Sequence, residues 1–268
     1  MSTKNSDKKK KNNYNLIFDE DFNDSDLNLK HWVPYYLPQW SSREKSKPNF
    51  TIKDNLLTLQ INKNQQPWCP EFNGDVKCSS LQTGMYAGCL GSDKGQHKFF
   101  NVNAVVREQQ VNVKKYVPQY GYFEMRAKFA ATKSNVVALW MIGYEDSPER
   151  SAELCIMEIK GCNVNKNKSK IGIGLHNFND SKLVDEFSEK DYEIDVMQFH
   201  IYAAEWTKDS VVFFINNKIV KVVNQSPDYP MQFMLGIYEI PGKITGKNER
   251  KYPKKFIVDY IRGYEPVK

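Results

Sequence analysis

Between residues 122 and 129 the chain alternates strictly, with Tyr122, Glu124, Arg126 and Lys128 on one side and Phe123, Met125, Ala127 and Phe129 on the other. A period of two belongs to a β-strand with one dry face and one wet or site-lining face, and a helix cannot present it. Further runs rich in β-branched and aromatic residues fall at 56–61, 102–113, 136–142, 153–159, 171–176, 199–206, 211–215, 219–223, 231–237 and 256–264. Their even spacing between Asn, Asp, Gly, Lys and Pro clusters predicts an all-β sandwich or barrel. Asn216-Asn217 reads as a two-residue hairpin turn, because Asn tolerates positive φ. No long amphipathic helix is legible, only a short helical turn near 146–150, and no internal repeat is visible.

The composition, 40% apolar and 13% aromatic over 268 residues, supports a substantial core. Residues 1–13 are polar and Lys/Asn-rich, which predicts a disordered tail before a single domain over 14–268. Most of the net charge of +6 sits in that tail, where Lys4, Lys8, Lys9, Lys10 and Lys11 face only Asp7. The remaining basic residues are interleaved with acids, so a nucleic-acid partner is not expected. No apolar run is long enough to span a membrane. The N-terminus lacks the apolar segment of an export signal, so a chain starting natively at Met1 is expected in the cytoplasm, and otherwise secreted. Cys69, Cys78, Cys89, Cys155 and Cys162 are odd in number and lack zinc-like spacing. They fit free thiols, with a disulfide among the first three as the alternative.

The stretch Glu153-Leu154-Cys155-Ile156-Met157-Glu158 puts two acids into a strand otherwise fit for burial. On a regular strand Glu153 and Glu158, five positions apart, point to opposite faces. One extra residue in a β-bulge at Ile156 and Met157 would bring both to one face. Two carboxyl groups converging on a cleft are what retaining glycoside hydrolysis needs, one as nucleophile and one as acid/base. The alternative leaves them on opposite faces, one solvated and one paired with Lys160 or Arg150.

Ala138-Leu139-Trp140-Met141 followed by the Glu153 to Glu158 run resembles the catalytic region of glycoside hydrolase family 16, of the concanavalin A-like lectin/glucanase superfamily. Phe22-Asn23, Ser79-Ser80-Leu81-Gln82-Thr83-Gly84, the 120–126 and 199–207 segments and Val258-Asp259-Tyr260-Ile261 are similar to that family in the same order. The resemblance implies a β-jelly roll of two curved antiparallel sheets with a concave cleft for a β-linked polysaccharide. It also implies Glu153 as nucleophile and Glu158 as general acid/base. Cys155 stands where the family's E-x-D-x-x-E pattern has Asp. A neutral thiol in place of that carboxylate predicts a less raised Glu158 pKa and an acid-shifted optimum.

Around the cleft the resemblance makes Trp140 a sugar-stacking platform and His176 a lining residue. Tyr36 and Trp40, with Tyr35 and Gln39, form an aromatic and amide cluster suited either to outer sugar units or to ordinary loop packing. Arg107 reads as a cleft-edge group or a strand ion pair, and Glu239 as part of an altered subsite next to Tyr238. His200 reads as a buried structural histidine and Trp206 as core or cleft floor. No cofactor is expected to be required; Glu20, Asp21 and Asp259 are the carboxylates available for the structural calcium that many family members carry. The expected function is a monomeric retaining endo-β-glycoside hydrolase on a polysaccharide, foremost a β-1,3-containing glucan. A non-catalytic lectin-like protein and a transglycosylase or galactan hydrolase are the alternatives.

Overall fold

The computed structural model describes residues 13–241 and 251–267. In chain order its strands are β1 (Tyr14–Glu20), β2 (Asn49–Lys53), β3 (Leu56–Ile61), β4 (Lys77–Gln82), β5 (Gly84–Met85), β6 (Val113–Lys114), β7 (Gly121–Ala130), β8 (Asn135–Gly143), β9 (Glu153–Lys160), β10 (Val164–Asn165), β11 (Lys168–His176), β12 (Ser188–Tyr192), β13 (His200–Trp206), β14 (Val211–Ile215), β15 (Lys218–Val223), β16 (Met231–Glu239) and β17 (Lys254–Pro266). Two one-turn helices, α1 (Arg43–Ser46) and α2 (Pro70–Asn73), sit in early loops. The tail expected over 1–13 lies outside the described residues except for Asn13, whose carbonyl accepts the Val267 amide at 2.9 Å.

Two large antiparallel sheets form the sandwich. One runs β15-β14-β13-β7-β17-β3-β2, with β1 beside the C-terminal part of β17, and the other runs β10-β11-β9-β8-β16-β4, with β12 on β11. Phe123, Met125, Ala127 and Phe129, the dry face of β7, are all buried between the sheets in the same core as Val137, Leu139 and Met141 of β8. Each such side chain contributes about 1.5 to 3 kcal/mol. The opposite face of β7 lies outside the sandwich, where Tyr264 Oη donates to Glu124 at 3.2 Å. β8 is buried on both faces, because Ala138, Trp140 and Ile142 lie beneath early loops that pack on the second sheet. That explains its unbroken apolar run.

The expected strand at 102–113 is irregular except for Val113, which opens β6. Its burial alternates over 103–111, but its backbone bonds to loops rather than to a strand: the Val106 amide donates to the Ser92 carbonyl and the Arg107 amide to the Gln39 carbonyl, both at 2.8 Å. Asn side chains cap its backbone as well, as where Asn101 Oδ1 accepts the Asn103 amide at 2.9 Å. β4 went unread because it buries hydroxyls: Ser79 Oγ accepts the Asn49 amide at 2.9 Å and donates to the Gln60 carbonyl at 2.7 Å. Residues 146–150 make a turn rather than a helical turn, closed by the Arg150 amide on the Ser147 carbonyl at 3.0 Å. The hairpin between β14 and β15 has left-handed φ of 49° and 63° at Asn216 and Asn217, as expected. All five cysteines are free thiols.

Candidate active site

β9 carries the two acids, and a bulge turns them to one face. On one side β8 pairs Leu139 with Met157 and Trp140 with Cys155; on the other β11 pairs Gly172 with Glu158 and Gly174 with Cys155. Ile156 is thus the extra residue against both neighbours. Ile156 and Met157 both enter the intersheet core, which resets the alternation. Glu153 and Glu158 then line one cavity of about 470 Å³, together with Lys160, Trp140, Tyr36, Tyr238 and His97. Opposite the bulge, Gly174 has φ +145°, and a Cβ there would stand 2.3 Å from the Glu186 carbonyl oxygen. The entry to β9 is pinned by Tyr229, whose hydroxyl accepts the Ala152 amide and donates to Asp180, both at 2.9 Å.

The electrostatics of the two acids differ. Burial, then the charges of Glu158 and Asp185, push the Glu153 carboxyl well above the usual range. Burial also raises Glu158, but Lys160 opposes the rise while Glu189 adds to it. Lys160 Nζ lies 3.5 Å from Glu158 Oε1 and 2.7 Å from Glu189 Oε1. Burial works against the Lys160 charge, yet these two carboxylates outweigh it and leave its pKa raised. The site therefore favours a pair that keeps a proton above the ordinary carboxylate range.

Cys155 is buried between the acids, and its thiol donates to the Gly172 carbonyl at 3.7 Å. Burial first, then Glu158 and Glu153, raise its pKa well above the ordinary thiol value. It is a neutral thiol, not a nucleophile.

The cavity walls are a closed succession of rings. Trp140 lies 4.9 Å from His97, His97 5.9 Å from Phe100, Phe100 5.8 Å from Trp68, Trp68 4.7 Å from Tyr36 and Tyr36 5.4 Å from Tyr238. The Trp140 indole N–H closes the circuit by donating to Tyr238 Oη at 3.4 Å. His97, which the sequence reading missed, has a left-handed backbone with φ 60° and gives its amide to the buried Glu145 carboxylate at 3.0 Å. Burial depresses its imidazole to about 3, so it presents a neutral ring. Only its flanking Gly95 hinted at a tight loop, and nothing in the sequence assigned that loop to this cavity.

Tyr36 and Trp140 line the cavity with Glu153 and Glu158, whereas His176, expected to line it, is not among its lining residues and lies on β11 next to Glu153. His176 pairs across the ladder with Glu153, stacks on Phe187 at 4.4 Å and has Nδ1 2.6 Å from Asp185 Oδ2. Three expected cleft residues lie elsewhere. Trp40 is fully buried, donates to the Gln96 carbonyl at 2.7 Å and packs on Gly95, so it props the His97 loop rather than meeting sugar. Arg107 ties its loop to α2 through Glu71 at 3.3 Å. Glu239 alternates away from Tyr238 on β16 and is taken by buried Lys254 at 2.8 Å and by Tyr252 Oη at 3.0 Å. His200 and Trp206 are structural: His200 Nε2 meets the Asp195 carbonyl at 2.9 Å, and buried Trp206 donates to Ser226 Oγ at 2.7 Å.

Two of the carboxylates considered for calcium, Glu20 and Asp259, are held by other side chains. Glu20 is engaged by His31 and by Asn28 Nδ2, and Asp259 takes Arg126 Nη1 at 2.5 Å. Calcium needs six or more oxygens, and among the described residues no group of three or more His, Cys, Asp or Glu side chains is placed to hold a metal.

Residues 42–261, more than half the chain, match the model of "Glycosyl hydrolases family 16". Among solved structures the chain is similar to a GlcNAcα1-4Gal releasing endo-β-galactosidase from Clostridium perfringens, with 28% identity and a TM-score of 0.82 over 96% of this chain. It spans 64% of the length of that chain. The laminarinase catalytic domain from Thermotoga maritima MSB8 shares its fold at 18% identity and a TM-score of 0.68, over 96% of this chain and 100% of that one. The laminarinase from Flavobacterium sp. UMI-01 does so at 22% and 0.60, over 94% of this chain and 100% of that one. No curated protein matches the chain.

Proposed function

The chain belongs to glycosyl hydrolase family 16, and from that premise we propose that it is an endo-acting β-glycoside hydrolase working with retention through Glu153 and Glu158. The observation that carries this is the bulge at Ile156 and Met157, which turns both acids into a cavity walled by aromatic rings. A binding protein needs the rings but not the paired acids.

In the first step the Glu153 carboxylate attacks the anomeric carbon while Glu158 gives its proton to the departing oxygen, leaving a glycosyl ester on Glu153. Glu158, now ionised, takes a proton from a water that attacks the same carbon and frees Glu153. The first step requires a pair that holds one proton, which the raised pKa values favour; the second requires Glu158 ionised, as the first leaves it. Trp140 offers a ring face to the apolar side of the sugar, and the neutral His97 and Tyr238 rings confine it.

The proposed substrate is a glycan with an internal β-linked galactose. The support is the stronger likeness to the endo-β-galactosidase than to the laminarinases, in identity and in TM-score alike. The β-1,3-glucan reading shares the same acid spacing and forms the other arm of the test. Purified protein is incubated with a glycan ending in GlcNAcα1-4Gal, with laminarin and with agarose, and the released sugars are identified. Release of GlcNAcα1-4Gal is the expected result. Release from laminarin alone overturns the galactoside assignment, and binding without release from any of them overturns the hydrolase.

A further inference from the structure

On β11 Ile171, Ile173 and Leu175 enter the core, and the other face carries Gly172, Gly174 and His176. Residues 185–187, just ahead of β12, lie on that face. A Cβ at Gly172 would stand 2.4 Å from Phe187 Cζ and 3.5 Å from Glu158 Cβ, and one at Gly174 would stand 2.8 Å from Phe187 Cα. The glycines therefore make room for this segment beside the acids. The segment also fixes His176: Phe187 stacks on it at 4.4 Å, its Nδ1 lies 2.6 Å from Asp185 Oδ2, and Asp185 Oδ1 accepts the Phe187 amide at 3.1 Å. Both acids pair with this stretch of β11, Glu158 with Gly172 and Glu153 with His176.

A side chain from the other sheet holds the segment down. Lys221 of β15 is half-buried, and its Nζ lies 2.9 Å from where a Cβ at Gly174 would stand. It donates to the Ile173 carbonyl at 3.2 Å, to Ser188 Oγ at 2.9 Å and to the Glu186 carbonyl. Ile173 lies where the register of β11 against β9 shifts. One ammonium thus ties the bulged ladder, the segment and the start of β12 together. Gln225 supports it, donating to Glu186 Oε1 at 2.6 Å and accepting the Val184 amide at 2.8 Å.

We propose that Lys221 is a positioning residue for hydrolysis: it holds residues 185–187 against β11 and, through Phe187 and His176, fixes where Glu158 and Glu153 stand. The inference rests on the hydrolase reading and adds to it a residue of the opposite sheet that is not among those lining the cavity of the acids. Hydrogen bonds from an ionised donor are stronger than neutral ones, and several from one ammonium fix their acceptors relative to each other. A methionine there would fill a similar volume and donate nothing, leaving the Ile173 and Glu186 carbonyls without this partner.

The test follows the His176 imidazole by NMR alongside the kinetics of sugar release. The chain has four histidines, so the His176 signal is assigned by its loss in His176→Gln, and Phe187→Ala gives its position without the stacked ring. Lys221→Met is expected to move the signal toward the Phe187→Ala position and to lower kcat about tenfold or more, with KM within about twofold. Lys221→Arg, which keeps the charge and the N–H donors, restores both. If Lys221→Met does not fold, Ser188→Ala, which removes one acceptor, is expected to move the signal the same way by less. A His176 signal that stays at its wild-type position in whichever of these variants folds overturns the proposal, as does a moved signal with unchanged kcat. A protein that releases no sugar overturns the hydrolase reading, and the His176 signal still reports whether Lys221 holds the segment.

Discussion

Cys155 and Lys160 set the charge around Glu158 in the same direction. Cys155 contributes no negative charge between the acids, and Lys160, 3.5 Å from Glu158, opposes the rise that burial imposes. Glu153, Glu189, His176, Asp185 and Lys221 are further titratable groups near these residues. Restoring a carboxylate with Cys155→Asp places a second charge beside Glu158 and raises its pKa. The basic limb of kcat/KM then moves to higher pH, and an unchanged or lower limb in the measured profile would refute this account of the site. The roles of the acids are separable too. A slow fluorinated glycoside should leave its sugar on Glu153, read from a labelled peptide by mass spectrometry. A label on Glu158 would reverse the assignment, which is what the Lys160 contact alone would favour.

Raised carboxyl pKa values also affect stability. The folded state binds protons more tightly than the unfolded chain, so the pair's contribution falls as pH rises past the unfolded carboxylate value, and the loss is complete above the folded one. Glu153→Gln removes the larger part of that loss. Thermal unfolding at pH 8 should show a gain of about 1 kcal/mol, on the order of 3 °C, that disappears at pH 4. An equal gain at both values would mean that packing, not charge, is responsible.

At the scale of elements, the bulge in β9 and the glycines of β11 are one device. Two core-facing residues in succession on β9 demand a partner strand that bends close, and Gly174 supplies it with a backbone that a side chain resists. Gly174→Ala is expected to cost about 2 kcal/mol or more in denaturant unfolding, with a fall in kcat from misaligned acids. A neutral substitution would show that the register is held elsewhere. The bulge was legible because parity alone cannot bring Glu153 and Glu158 together. The strands with a clean period of two, β7 above all, were legible for the same reason. β4 was not, since two of its buried residues are serines, Ser79 satisfied by β2 and β3 and Ser80 by Tyr238 of β16, a tertiary fact. The 102–113 run failed in the opposite sense: its valines are β-formers, but only some are covered.

At the scale of the molecule, the sandwich supplies a rigid floor, and the loops around residues 36, 68 and 97 build the walls. Residues on the floor, Trp140, Glu153 and Glu158, could be read from strand patterns and the family resemblance. Wall residues depended on how loops fold back. Trp40, suited in sequence either to sugar contact or to loop packing, takes the packing role, while His97 carried no pattern and lies against Trp140. Arg107 and Glu239 found partners in other segments, Glu71 and Lys254, that are distant in sequence.

Hydrolysis as proposed depends on both glutamates that the bulge brings to one face. The most direct measurement is the initial rate of sugar release from the preferred glycan by the wild-type protein, Glu153→Gln and Glu158→Gln, each verified as folded by its thermal transition. The account predicts a loss of about a thousandfold in each variant. Either variant retaining a rate within tenfold of wild type would contradict it.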